Sequence, residues 1–467
     1  MRRFLRWTGW TLAVLMGLTV VTGLSTLETV DWRPYFQQPW FAATAARLAA
    51  APPAKSAPRS EFAAGFGRAR LTPTIGAEQD DPTRGRFRHM PLAGYGGRRG
   101  QSATGTHDEL EVKAVALRAG GRLLVMVGAD ALIVPPEVTA LAMEQLGRDP
   151  QLHRHQVYLS ATHTHASLGG WGEGMVAEMF AGGFQPGARV WFAACIVQAV
   201  RAAVADLQPA ELGQGRFAAP EFVRNRLVGA QGKVDPEFSF AVLRQRSGRT
   251  AVLGSYAAHA TVLSSSVMEF SGDYPGYWQR AVESATGGLA IFLAGGVGSH
   301  GPVAGDKGYA GAEKLGRALA ERLLVELPRT PLSGDVELDA QAIDVVLPEL
   351  QVRVADGIRL RPWLAGRLLQ PQAECTLQAF RLNGVIWFST PCDYSGELAL
   401  GLKDFLRARR ADAVVTSFNG GYIGYVIPAR YYHLPGYEPR TMSFYGPNVG
   451  ESFDETLRAL AVRLLPP

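Results

Sequence analysis

Ser160-Ala161-Thr162-His163-Thr164-His165-Ala166-Ser167-Leu168-Gly169-Gly170 closes a stretch in which Val157, Leu159 and Ala161 alternate with Tyr158, Ser160 and Thr162. That period of two predicts a strand, and His163 and His165 continue one face of it, so both imidazoles point the same way. The glycine pair ends the strand in a loop. The histidines therefore stand at a carboxyl end, where open α/β sheets collect ligands. Imidazole is a zinc ligand, and a catalytic zinc takes about three protein ligands with one position left open. His-X-His alone fits equally well a polar strand end with one ring bonded to backbone.

Working outward, Gly120-Gly121 separates two apolar runs at 111–117 and 123–128, the signal of a tight hairpin. Residues 135–146 have helical periodicity and open on prolines, so strand, helix and strand up to His163 predict a βαβ unit with a parallel pair. Ser247-Gly248 marks a second hairpin whose return strand delivers His259, and Asn383-Gly384 marks a third whose return strand exits at Pro391-Cys392-Asp393. Helices are expected at 190–207, 277–284, 310–327, 396–409 and 453–465, and further strands at 289–294 and 413–418. The predicted class is α/β, mixed β-sheets flanked by helices, with an N-terminal membrane-anchor helix. No internal repeat is visible.

His163, His259, Asp393 and Tyr425 each follow the end of an apolar strand. Two imidazoles, a carboxylate and a phenol form the N/O donor set of a metal such as zinc. Each also has an ordinary reading: His259 as a core histidine, Asp393 as a helix cap before Gly396, Tyr425 as a core aromatic. Their common position at strand ends favours one shared site.

At 467 residues the chain can hold two domains or one large elaborated one. A hydrophobic content of 47% against 19% charged residues describes a packed globular body. The net charge of +5 suits a neighbour of anionic lipid. It does not argue for nucleic acid, because the arginines at 84–88 and Arg98-Arg99 read as solvated loop rather than as a basic stripe interleaved with aromatics. Three scattered cysteines make neither a disulfide framework nor a cysteine zinc site. Arg2, Arg3 and Arg6 precede an uncharged run from Trp7 to Leu27, long enough to span a bilayer, with no small-X-small cleavage site at its end. Residues 1–30 are thus read as a signal anchor or signal peptide, 31–61 as an Ala/Pro-rich linker, and 62–467 as the catalytic body. The body is expected outside the cytoplasm, membrane-anchored, or secreted if the N-terminal segment is cleaved.

Together these residues resemble the catalytic, N-terminal domain of the neutral/alkaline non-lysosomal ceramidases, zinc amidases that hydrolyse the N-acyl bond of ceramide. Thr162-His163-Thr164-His165 with Gly169-Gly170 resembles the family's T-H-T-H-S-G-P-G-G, which implies His163 as a zinc ligand and His165 as a residue acting on substrate. Tyr256-Ala257-Ala258-His259 followed by Ser271-Gly272-Asp273 resembles W-F-A-x-H and S-x-D, implying His259 as second ligand. Asn225-Arg226 resembles the family's N-R-S turn, implying Arg226 near the amide carbonyl. Pro391-Cys392-Asp393 stands for P-G-E and Tyr422-Ile423-Gly424-Tyr425 for Y-x-x-Y, implying Asp393 and Tyr425 on the metal.

Three departures follow. The family's glutamate is Asp393, one methylene shorter, so the backbone approaches more closely or Glu397 substitutes. The family's G-D-x-S-P serine falls on Gly301 in Gly298-Ser299-His300-Gly301-Pro302, and His300 is expected to point away from Ser299 if a strand continues there, the alternative being a Gly-rich loop that folds the two together. Only about 40 residues follow Tyr425, too few for the sandwich domain of many members. The implied function is zinc-dependent hydrolysis of an N-acyl amide, of the ceramide type, by a metal-activated water. The alternatives are a zinc hydrolase of another envelope N-acyl compound or ester, and a degenerate member that binds lipid or a partner without turnover.

Overall fold

The computed structural model describes residues 25–52, 58–148 and 152–466, with scattered positions between 7 and 23. An eight-stranded sheet runs in the order Leu289–Ala294, Thr250–Tyr256, Glu237–Gln245, Gln208–Ala218, Ala63–Arg70, Glu111–Ala119, Arg122–Ala129, Val157–Ala161. A four-stranded sheet, Leu338–Val346, Glu374–Leu382, Val385–Ser389 and Asp412–Thr416, packs against its inner face. Phe66, Leu117, Met126, Leu253, Ile291, Phe380 and Trp387 meet between them in one apolar layer. The Tyr158 hydroxyl donates to the Phe388 carbonyl at 2.7 Å, so the sequence's lead strand is fastened to the small sheet.

Helices cover the outer faces. Pro136–Leu146 and Pro186–Ala205 pack on one half of the large sheet, and Asp273–Thr286 with Gly308–Glu326 on the other. Gly396–Arg407 and Val449–Leu464 cover the small sheet. Among the described residues Pro186–Ala205 alone is long and apolar enough to cross a membrane, and half of it is buried inside the body, as a core helix is. Half of the expected N-terminal segment 1–30, including 1–6 and 17–21, lies outside the described residues. Within the expected linker, Pro39–Ala50 is a helix packed on strand Leu338–Val346, where Thr44 Oγ1 accepts from the Val346 amide at 3.0 Å.

Where the sequence shows no repeat, the backbone shows one. Three times a hairpin is followed by a crossover helix and a parallel strand: Arg122–Ala129 pairs Val157–Ala161, Thr250–Tyr256 pairs Leu289–Ala294, and Val385–Ser389 pairs Asp412–Thr416. Parallel neighbours joined by one helix put their carboxyl ends on the same edge. The segments that follow these strands carry His163 and His165, His259, Ser299 and His300, Asp393, and Phe418 with Tyr425.

Candidate metal centre

The lead strand ends at Ala161, and the two histidines do not continue its alternation. His163 has φ 62, left-handed backbone that a non-glycine residue enters only when its surroundings dictate it. The turn brings both rings to one point. His163 Nε2 lies 2.8 Å from His259 Nε2, and His165 Nε2 lies 3.2 Å from each.

Tautomers can be assigned from the opposite ring atoms. His163 Nδ1 donates to the Leu132 carbonyl at 2.6 Å and His259 Nδ1 to the Val297 carbonyl at 3.4 Å. Both Nε2 atoms then present bare lone pairs to each other. Burial pushes all three histidines below their ordinary range, His163 to about 3, so the rings are neutral, as ligation requires. Phe418 stacks on the His163 ring at 3.8 Å and fixes its plane.

Asp393 completes the cluster. Its Oδ1 lies 3.7 Å from His163 Nε2 and 3.9 Å from His259 Nδ1, is buried, and has no hydrogen-bond partner. Its Oδ2 accepts from the Tyr422 hydroxyl at 2.8 Å, which aims Oδ1 at the imidazoles. Burial raises this carboxyl to about 7, and the Tyr422 bond and Arg226 charge only partly offset it. Lone pairs facing lone pairs beside an orphaned carboxylate oxygen cost free energy unless a cation sits among them. The residues present therefore fit a divalent metal, and His163, His165 and His259 have ligand atoms within 4.8 Å of one another.

Tyr425 pairs with Asp393 across a two-residue parallel ladder. Its hydroxyl accepts from Arg226 Nη2 at 2.8 Å, and Arg226 Nε sits 3.0 Å from Glu438. Arg226 is not part of the cavity wall and reaches the site through this phenol. The six residues singled out in the sequence thus form one connected cluster. His165, read as acting on substrate, stands as close to the other two imidazoles as a third ligand would.

Glu397, the alternative to Asp393, is engaged elsewhere. Its carboxylate accepts from Asn225 Nδ2 at 3.0 Å and the Lys233 amide at 3.2 Å, and pairs with Arg430. Ser299 and His300, expected to diverge, are hydrogen-bonded at 2.8 Å. His300 Nε2 accepts from the Asp235 amide, so its proton resides on Nδ1 and is given to Ser299 Oγ. A ring that donates to a serine cannot serve as its base. Gly301 leaves an added Cβ 3.4 Å from Arg226 Cδ, ordinary contact distance.

Arg98, read as solvated loop, is buried. Its guanidinium donates to the carbonyls of Ala93, His165 and Val267, and desolvation lowers its pKa to about 10. It pins the backbone of His165, while Tyr95 packs on that ring at 4.6 Å. The sequence offers no signal for this role; Tyr422 was at least inside the motif quoted for Tyr425.

A cavity opens from the cluster to the surface. His163, His165, Asp393 and Tyr425 lie at its buried end, and its walls include Leu132, Ile133, Phe180, Leu369 and Phe444.

Comparison with known proteins bears on this arrangement. The profile of the family described as neutral/alkaline non-lysosomal ceramidase, N-terminal, matches residues 74–295. Neutral ceramidase of Pseudomonas aeruginosa is 26% identical over 221 residues, 43% of this chain and 33% of that protein. The Mycobacterium tuberculosis neutral ceramidase is 26% identical over 230 residues, 44% of this chain and 34% of its own. The match thus spans about a third of these relatives' length. The crystal structure of the Pseudomonas aeruginosa enzyme superposes with a TM-score of 0.71 at 20% identity, covering 86% of this chain and 75% of that one, and so shares the fold. Profile and relatives together show that residues 74–295 of this chain are similar to the N-terminal part of the neutral/alkaline non-lysosomal ceramidases.

Proposed function

We propose that this chain is a zinc-dependent hydrolase of N-acyl amides, with ceramide-like lipids as substrate, and that it works on the non-cytoplasmic side of a membrane to which its N-terminal segment holds it. The observation that carries the reading is the convergence of three neutral imidazoles and an orphaned carboxylate oxygen at the buried end of an apolar cavity. His163, His259, Asp393 and Tyr425 would hold the metal, with His165 facing the cavity beside them. A zinc ion there would supply Lewis acidity towards the amide carbonyl and a nucleophile at neutral pH.

The residues of the chain do the rest. Apolar walls take the acyl chain and exclude bulk water from the reacting bond. Tyr422 keeps Asp393 aimed, and Arg226 holds charge against the Tyr425 phenol. In hydrolysis the amide C–N bond breaks, a C–O bond forms from water, and one proton must reach the departing amine. The neutral His165 imidazole at the cavity wall can carry that proton. No serine is needed, which suits Gly301 and the donor role of His300 towards Ser299.

The glycine at 301 also favours a second reading, a family member that holds lipid without turning it over. Metal analysis and turnover of the purified full chain separate the two. About one zinc per chain with release of fatty acid from an N-acyl sphingoid base supports hydrolysis. Zinc bound with no turnover on any N-acyl amide or ester selects the binding protein.

A further inference from the structure

The cavity's mouth is built beside the point where the N-terminal apolar run ends. The run from Trp7 to Leu27 is followed by strand Leu27–Thr29, which pairs antiparallel with Ile358–Leu360. Glu28 is ion-paired to Arg359 at 2.8 Å. The carbonyl of Thr26 accepts from the Arg361 amide at 2.8 Å, and that of Ser25 from Trp363 Nε1 at 3.0 Å. Arg361 and Trp363 begin the short helix Pro362–Leu369, whose far end, Leu368 and Leu369, lines the cavity. Eight helical residues are about 12 Å long. The apolar run is thus tied without slack to a helix that leads directly to the mouth.

This rim is apolar and open. Trp363 is 51% exposed and Leu368 40%, while Ala365 on the same helix is buried. Across the mouth, helix Met175–Ala181 shows Met175 at 62% and Met179 at 50%, four residues apart on one face. Gly174, just before that helix, faces Gln370 at the end of the rim helix, so the two sides are continuous. Trp363 has already given its N–H to Ser25, so its ring can enter an apolar medium without leaving a polar donor unpaired. Exposed Arg367 lies over the Trp363 ring at 5.8 Å, a cation and an aromatic paired as at a bilayer interface.

We propose that the rim formed by Trp363, Leu368, Met175 and Met179 docks on the lipid bilayer from which the N-terminal segment emerges, so that the cavity mouth opens onto the leaflet and takes its acyl substrate without passage through water. The occupant is assigned from continuity: a chain leaving a bilayer at Ser25 holds this rim against that same surface. Met and Trp presented beside a basic residue suit insertion at the level of the headgroups. The proposal rests on the membrane attachment and lipid substrate argued above.

The test uses the full chain inserted in phosphatidylcholine vesicles whose acyl chains are brominated. Cys195, Cys375 and Cys392 are buried, so an environment-sensitive dye can be placed selectively at Met179→Cys, or at Val325→Cys as an exposed control outside the cavity wall. The expected result is a blue-shifted dye quenched by bromolipid at 179 and an unshifted, unquenched dye at 325. In parallel, Trp363→Ser with Met179→Ser should lower turnover of a long-chain N-acyl amide carried in vesicles about ten-fold, while a short-chain analogue dispersed as monomers is turned over within about two-fold of wild type. Equal behaviour of the two dyes in vesicle-bound protein overturns the docking surface and leaves the hydrolase reading intact. Failure to float with vesicles removes the attachment and the docking surface together. A dye shift at 179 that depends on protein concentration without vesicles assigns the patch to a second copy and overturns the proposal. Quenching at 179 with no turnover on either substrate upholds the surface and removes the hydrolase.

Discussion

Two buried polar clusters sit side by side at the same sheet edge, and only one has anything left to bind. Around Ser299 every lone pair is claimed: Oγ accepts from the Gly396 amide at 3.0 Å and from His300 Nδ1 at 2.8 Å, and lies 3.0 Å from Ser395 Oγ. Around His163 the outer Nδ1 atoms of His163 and His259 are tied to Leu132 at 2.6 Å and more loosely to Val297 at 3.4 Å, while the inner Nε2 atoms face one another and neither Asp393 Oδ1 nor His165 Nδ1 has a hydrogen-bond partner. Position at a strand end is common to both. What separates a site from a structural network is uncompensated donor chemistry, since buried polar groups are otherwise paired.

The largest effect should come from emptying the open cluster. His163→Ala and His259→Ala are each expected to remove the zinc and to lower turnover by about three orders of magnitude or more. Metal analysis beside a turnover assay checks both. Full zinc in either variant would show that the imidazoles face one another for structural reasons, and the contrast with Ser299 would collapse.

Next comes the aiming of the carboxylate. Asp393→Asn should cost about a hundred-fold, and Tyr422→Phe, which leaves Asp393 in place but frees Oδ2, about ten-fold, with weaker metal retention against a chelator. If Tyr422→Phe changes nothing, Oδ1 is not held for the metal by this bond. Glu397→Gln should leave metal content unchanged, because Asn225, Lys233 and Arg430 already occupy that carboxylate.

Ser299→Ala sharpens the comparison from the closed side. Removing a satisfied buried hydroxyl should cost about 1–3 kcal/mol of stability, and turnover should stay within a few-fold of wild type. Thermal denaturation and a rate assay read the two effects separately. An acyl group trapped on Ser299 would reverse the assignment.

Local chemistry explains how much could be read beforehand. Gly120-Gly121 and Asn383-Gly384 announce their hairpins, and the alternation of 157–161 announces its strand, because turn and pleat are properties of a few adjacent residues. The His163 turn could not be read, since a left-handed histidine is imposed by Leu132 and Phe418 from elsewhere in the chain. Strand Gln208–Ala218 was missed because Gly213 and Gly215 interrupt its pattern. Those glycines are there for neighbours: an added Cβ would come within 2.7 Å of the Pro331 carbonyl and 2.5 Å of the Phe240 ring. Charge misled in the same way at Arg98, where three distant carbonyls replace water. The proximity of the six candidate residues could be anticipated because the motifs that carry them are ordered along the chain, while the contacts of Tyr422, Phe418 and Arg98 arise only from packing.

The smallest expected effect on rate belongs to His300, and it tests the closed cluster by pH. Burial lowers this imidazole from 6.5 to about 4, and the fold holds it neutral with Nδ1 donating to Ser299 and Nε2 accepting from Asp235. Between those two pH values the unfolded chain binds the proton that the folded chain refuses, so stability falls as pH drops from about 6.5 towards 4 and is unaffected above that window. His300→Gln removes the titration. The variant should therefore lose less stability than wild type on acidification through this window, while turnover at pH 7 stays within about two-fold. Thermal midpoints of both proteins at pH 7, 6, 5 and 4 give the comparison. Curves that stay parallel would mean that His300 is protonated in the fold as readily as in water. Its Nε2 would then not be accepting from Asp235, and the argument that it cannot act as a base towards Ser299 would fail with it.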